Sequence, residues 1–135
     1  MNQTNKTIFN SSWWSLQIPS EWTITEDSDC VTLTNKCFPS ALQISAARKE
    51  KDLVTDEDLK DFAMERFYDV ASLQECSFGS FSGFYAERIK NGFFWREWWL
   101  RAGFLMIYAS YNVNEKFKNV ENSIVDQIIE TLEPK

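Results

Sequence analysis

An Asn-Gly dipeptide at positions 91 and 92 lies between two long runs of β-type residues, and it constrains the fold more than any other feature. Asn and Gly tolerate the positive φ angles that both central positions of a type I′ hairpin require. A two-residue turn also fixes the register of the two strands. We therefore expect seven consecutive pairs, from Lys90 opposite Phe93 to Phe84 opposite Trp99.

A second tight turn is expected at residues 102–103, where Ala is followed by Gly. This turn would place Leu100 opposite Leu105 and Glu97 opposite Tyr108. The two turns together predict a three-stranded antiparallel meander.

Alternation along these strands sorts their side chains onto two faces. The face expected to meet the core carries Tyr85, Ile89, Phe94, Trp98, Leu100, Leu105, Ile107, Ala109 and Tyr111, with Glu87 and Arg96 as an adjacent ion pair. The opposite face, called here the mixed face, is both aromatic and charged. It carries Phe84, Trp95, Trp99, Phe104, Met106 and Tyr108 together with Arg88, Lys90, Glu97, Arg101, Ser110 and Asn112.

The mixed face has two interpretations. A helix can cover its middle and leave the charges at the rim, as in many two-layer domains. Alternatively, the face is an exposed binding groove, because Trp, Tyr, Met and Arg are enriched in the cores of protein interfaces. The second interpretation makes six residues candidates for binding: Arg88, Trp95, Glu97, Trp99, Met106 and Tyr108.

The rest of the chain supplies further strands and two helices. Shorter β-type runs cover 14–18, 22–25, 31–34 and 41–46, and the first two flank Pro19-Ser20 as an expected hairpin. Thr55 is the expected cap of a helix whose apolar stripe is Leu59, Phe62, Ala63, Phe67 and Val70. An amphipathic pattern from Glu115 to Leu132 predicts the last helix.

These elements predict one α+β domain over residues 13–135, an antiparallel meander sheet with two amphipathic helices, behind a flexible tail at residues 1–12. The polar start of the chain lacks the pattern of a signal peptide, so we expect a cytoplasmic protein. No apolar run is long enough to predict a membrane span.

The composition argues against nucleic-acid binding, against catalysis that needs an imidazole base and against metal binding. The net charge of −6 disfavours nucleic-acid binding. The chain has no His, and therefore no imidazole base, and its three Cys match no metal spacing. We expect reduced thiols, with a disulfide between Cys30 and Cys37 across a hairpin as the alternative. Glu87 and Glu97 could act as an acid and base pair, although cross-strand partners explain both residues, so we expect no catalytic residues, metal or cofactor.

Four segments are informative in combination: WSLQIPSEW, the ALQISA strand before a capped helix, the KNGFFWREWWLRAGFLMIYASY meander and the closing IVDQIIETL. Their order resembles the PsbP-like fold, and within it the bacterial DcrB-like and related uncharacterised domains. The resemblance implies an α/β/α sandwich that serves as a binding or assembly factor, and it carries over no catalytic residues.

We therefore expect a non-catalytic protein-binding module, such as a chaperone or immunity-type partner of a secreted bacterial protein. The alternative is a small-molecule carrier with an aromatic pocket between sheet and helix.

Overall fold

The computed structural model describes residues 6–28, 30–66 and 72–135. These residues form ten strands and two α-helices. The strands are β1 (Lys6–Asn10), β2 (Trp14–Pro19), β3 (Trp22–Glu26), β4 (Val31–Asn35), β5 (Ser40–Arg48), β6 (Gln74–Phe78), β7 (Phe81–Lys90), β8 (Phe93–Ala102), β9 (Leu105–Asn114) and β10 (Glu133–Pro134). The helices are α1 (Asp56–Glu65), between β5 and β6, and α2 (Asn122–Ile129), between β9 and β10.

Seven strands form one large antiparallel sheet in the order β3-β4-β5-β9-β8-β7-β6. The β7–β8 hairpin has the predicted turn, with φ values of 54° at Asn91 and 83° at Gly92. All seven predicted pairs are present, from Lys90 with Phe93 to Phe84 with Trp99. The hairpin register is therefore confirmed.

The predicted register between β8 and β9 is wrong by two residues. Leu100 lies opposite Ile107, and Leu105 lies opposite Ala102. The turn uses residues 103–104, so Gly103, at φ 63°, occupies its first position and not its second. A shift of two residues leaves every side chain on its predicted face.

The predicted hairpin between residues 14–18 and 22–25 is also wrong. β2 pairs with β1 and β10 in a separate three-stranded sheet, whereas β3 pairs with β4 in the large sheet. Alternation cannot distinguish the two arrangements, because Leu16 and Trp22 face the same core from different sheets.

The expected flexible tail needs a correction as well. Residues 6–10 form β1, in which Lys6 pairs with Pro19 and Asn10 with Ser15. This edge strand lacks the alternation of buried and exposed residues that predicts a strand, because Phe9 is its one partly buried residue. Residues 1–5 lie outside the described chain.

The molecule is an α+β sandwich of three layers. The small sheet and α2 pack on one face of the large sheet, and this main core includes Leu16, Leu42, Phe94, Tyr111 and Ile128. Helix α1 packs on the other face, which is the mixed face.

Helix α1 begins as predicted. The Thr55 hydroxyl accepts a hydrogen bond from the Asp58 amide at 3.1 Å, and the Asp58 carboxylate accepts one from the Thr55 amide at 2.9 Å. This reciprocal capping box satisfies two amides that the helix start leaves without partners. The predicted stripe residues Phe67 and Val70 lie outside the described residues.

The last helix is much shorter than predicted. A single 3₁₀ turn covers Glu115–Phe117, and α2 begins only at Asn122. Asn119 separates them with φ 71°, a left-handed conformation that no α-helix continues through. As a result Val120, an apolar residue within the predicted amphipathic helix, is 63% exposed.

The alternative disulfide is excluded by the fold. Cys30 precedes β4 and Cys37 follows it, so the two residues do not face each other across a hairpin. An extended strand advances by about 3.3 Å per residue, so the two lie roughly 20 Å apart, far beyond disulfide reach.

Candidate binding clefts beside the first helix

Helix α1 covers the middle of the mixed face. Its Leu59 and Ala63 pack against Phe84, Ala86 and Trp99 of the sheet, and all five are buried. Trp99 has no exposed surface. The first of our two interpretations is therefore the one that the structure shows, and the prediction of Trp99 as a binding residue is wrong, since a sealed indole cannot meet a partner.

Glu97, another predicted binding residue, is also buried beneath the helix. Its carboxylate accepts hydrogen bonds from Arg66 Nε at 3.3 Å and from the Tyr108 hydroxyl, and Arg88 Nε lies 3.7 Å from it. Burial, and then the nearby Glu97 carboxylate, raise the pKa of Tyr108, so its hydroxyl stays a donor. These contacts connect the C-terminal end of α1 to the sheet. Because Glu97 is buried among them, it cannot contact a partner.

Two of the predicted residues line an open cleft beside the end of α1. This basic–aromatic cleft has a volume of about 440 Å³. It is lined by Glu65, Arg66, Arg88, Lys90, Asn91, Phe93 and Trp95. Trp95 is half-buried and Phe93 is 42% exposed, so both rings offer apolar surface beside cationic side chains.

The other two predicted residues line a separate cleft where α1 meets β5 and β9. Met106 and Tyr108 border it with Phe62 of the helix, and its volume is about 230 Å³. The rings of Phe62 and Tyr108 stack with centroids 5.3 Å apart. The helix thus divides the predicted groove into two clefts, and a single continuous surface through all six residues does not exist.

Residues that the sequence did not nominate complete the basic–aromatic cleft. Phe93 and Lys90 flank the Asn-Gly turn, and the predicted register already placed them side by side. Arg66 follows the last turn of α1, and no local pattern shows which strand a helix end will reach.

The predicted ion pair of Glu87 and Arg96 is replaced by a longer chain of contacts. The Tyr85 hydroxyl stands between them, accepting from Arg96 Nε and donating to Glu87, both at 2.6 Å. Arg96 forms its ion pair with Asp126 of α2 at 2.5 Å. A cross-strand prediction could not include this partner, because it comes from another layer.

The acid and base alternative is contradicted by the same register. Glu87 lies opposite Arg96, and Glu97 lies opposite Ala86. The two carboxylates therefore point to opposite faces of the sheet and cannot act on one substrate.

Residues 6–28, 30–66 and 72–135 contain no group of three or more Cys, Asp or Glu arranged to hold a metal ion. None of the helices within these ranges is long and apolar enough to cross a membrane.

Comparison with known proteins identifies a shared fold. No family model matches the chain, and no curated protein matches it. A crystal structure of a protein from Bacteroides thetaiotaomicron VPI-5482 is similar over 99% of this chain, with a TM-score of 0.73 and 20% sequence identity. The match covers 49% of that protein, so this chain spans about half of its length. This similarity supports the α+β sandwich. It gives no support for a PsbP-like or DcrB-like family.

Proposed function

We propose that the chain is a non-catalytic protein-binding module that docks its partner in the basic–aromatic cleft. The observation that carries this proposal is the position of Trp95 and Phe93. Helix α1 buries Trp99 and Phe84 on the same sheet face. The rings of Trp95 and Phe93, in contrast, border open space. Accessible aromatic rings beside arginines are the usual composition of an interface hot spot.

The charges of the cleft indicate the chemistry of the partner. Among the described residues that line it, Arg66, Arg88 and Lys90 are cationic and Glu65 is anionic. Glu97, beneath the cleft, forms ion pairs with Arg66 and Arg88. Cationic residues outnumber anionic ones in this described lining, which favours an acidic segment with an apolar side chain for the Trp95 ring.

A chaperone or immunity-type partner of a secreted bacterial protein, acting in the cytoplasm, fits such a cleft. A small-molecule carrier fits less well. The space between α1 and the sheet that the carrier requires is packed by Leu59, Ala63 and Trp99. The cleft beside Phe62 holds about 230 Å³, whereas ligand pockets usually hold roughly 300–1,000 Å³.

The proposal is tested by selecting short peptides from a displayed random library on the immobilised protein. We expect acidic peptides with an aromatic or large apolar residue. Trp95→Glu should bind them at least about 30-fold more weakly, the effect of losing one hot-spot tryptophan.

Ile8→Glu is the matched control, because it adds the same charge at a residue of the small sheet that is 61% exposed. This variant should bind like the wild type, and circular dichroism should show that both variants are folded. Equal affinity of the wild type and Trp95→Glu for the selected peptides would refute the assignment.

A further inference from the structure

Strand β6 is the last strand at one end of the large sheet. It pairs with β7 on one side, from Gln74 opposite Tyr85 to Phe78 opposite Phe81. Among the residues that the structure describes, no strand is paired with its other side. Sheet edges are usually protected by Lys, Pro, a bulge or a covering segment, and the sequence QECSF contains neither Lys nor Pro.

The register shows which backbone groups face outward. The β6–β7 turn has two residues, and Gly79 at φ 57° suits the first position of a type II′ turn. The pair that flanks such a turn, Phe78 and Phe81, is hydrogen-bonded, and hydrogen-bonded pairs then alternate along the strands. The amides and carbonyls of Glu75 and Ser77 therefore face away from β7.

A cleft borders β6 on each face of the sheet. On the α2 side, a cleft of about 300 Å³ lies between β6 and residues that include Tyr85, Trp98, Asp126 and Glu130. On the α1 side, a cleft of about 410 Å³ lies between β6 and residues that include Asp56, Phe84 and Arg101. An added strand would send alternate side chains into these two clefts.

The charges around β6 are mainly negative. On the α2 side, Asp126 and Glu130 line the cleft together with one cation, Arg96, whereas the Glu75 side chain lies on the α1 side with its register partner Phe84. Arg96 is 5% exposed and is already paired with Asp126. On the α1 side, Arg101 is paired with Asp56 at 2.7 Å.

From these observations we propose that β6 binds an extended segment of another protein, rich in Lys or Arg, as an eighth strand of the large sheet. Backbone hydrogen bonds to Glu75 and Ser77 supply the attachment. Basic side chains directed towards Asp126 and Glu130 supply the selectivity. This interface is separate from the basic–aromatic cleft and does not depend on it.

A second copy of this chain is a poorer occupant. A second β6 would bring Glu75 and no basic residue to an edge that is already acidic. Like charges in adjacent strands destabilise pairing.

The test uses a blocked peptide that alternates Lys with Val, and calorimetry with the whole chain. A peptide that alternates Glu with Val reverses the charge. A Lys-Val peptide with an N-methyl group on every backbone amide keeps the charge but cannot donate a backbone hydrogen bond along either edge. We expect the first peptide alone to bind and to slow hydrogen exchange at the Glu75 and Ser77 amides.

Two pairs of variants separate the backbone and charge contributions. Ser77→Pro removes an outward amide and should weaken binding roughly tenfold, whereas Ser77→Ala should not. Glu130→Lys should weaken it about fivefold, whereas Glu133→Lys, an exposed carboxylate outside both clefts, should have little effect.

Three results would overturn the proposal. They are no binding of the Lys-Val peptide, equal binding of its N-methylated form, and amide protection confined to other strands. A wild-type dimer that Ser77→Pro converts to a monomer would instead assign the edge to a second copy.

Discussion

Substituting Gly83 by alanine should destabilise the chain far more than the same substitution at Gly103. Gly83 lies in β7 opposite Leu100, in the interior of the large sheet. A Cβ atom there would overlap the carbonyl oxygen of Trp99 and lie 3.0 Å from both the Trp99 carbonyl carbon and the Leu100 Cα. Carbon atoms normally approach to about 3.5–4.0 Å, so the two strands would have to separate.

The magnitude follows from opposing terms. Overpacking costs about 1–3 kcal/mol, and here the obstacle is backbone between two packed layers, so we expect about 3 kcal/mol or more. Alanine also raises the free energy of unfolding by roughly 0.5–1 kcal/mol, because it restricts the unfolded chain. At Gly103 an alanine Cβ would have nothing within 4 Å. Its φ of 63° should lower the free energy of unfolding by only about 1–2 kcal/mol, and the restriction of the unfolded chain offsets part of that loss.

Urea unfolding followed by tryptophan fluorescence measures both variants, and a constant m-value shows that the same transition is compared. Gly103→Ala is the control, because it changes the same atoms without the clash. The reasoning fails if the two variants have the same midpoint.

Three smaller predictions concern other residues. Thr55→Ala should lower the free energy of unfolding by about 1 kcal/mol in thermal melts, and Thr55→Ser should not, because serine preserves the cap. Glu121 is buried and accepts hydrogen bonds from three side chains, so Glu121→Ala should cost roughly 3 kcal/mol, and Glu121→Gln less, in the same melts. Burial raises the pKa of Cys76 to about 11 from an ordinary value of 9.0, so the stability it contributes is complete below pH 9 and is lost as the pH rises towards 11. Urea titrations across that range should show a smaller loss for Cys76→Ala, and alkylation of Cys76 at pH 8 should be slower than that of the exposed Cys37.

How much of the fold could be predicted depended on whether the information was local. The Asn-Gly turn determines its own register because both residues take the left-handed conformation. Gly103 marks a turn equally well, but a single glycine does not reveal which turn position it occupies, and the β8–β9 register was therefore wrong. Alternation in β2 shows a buried face but not the sheet to which the strand belongs.

The candidate site was harder to predict for the same reason. The faces of Trp95 and Trp99 follow from strand alternation, and both lie on the mixed face. Their exposure depends on where α1 crosses that face, which is a contact between segments distant in sequence. Trp99 lies beneath the helix and is buried, whereas Trp95, four residues earlier, lies beside the helix end and is half-buried.

The net charge of −6 averages surfaces of opposite sign. Arg66, Arg88 and Lys90 lie together at one cleft, whereas Asp126 and Glu130 lie together beside β6. A partner that used both surfaces would need an acidic segment for the first and a basic strand for the second. Salt would weaken both proposed contacts, so ionic strength cannot distinguish the two proposed interfaces, whereas substitutions at individual residues can.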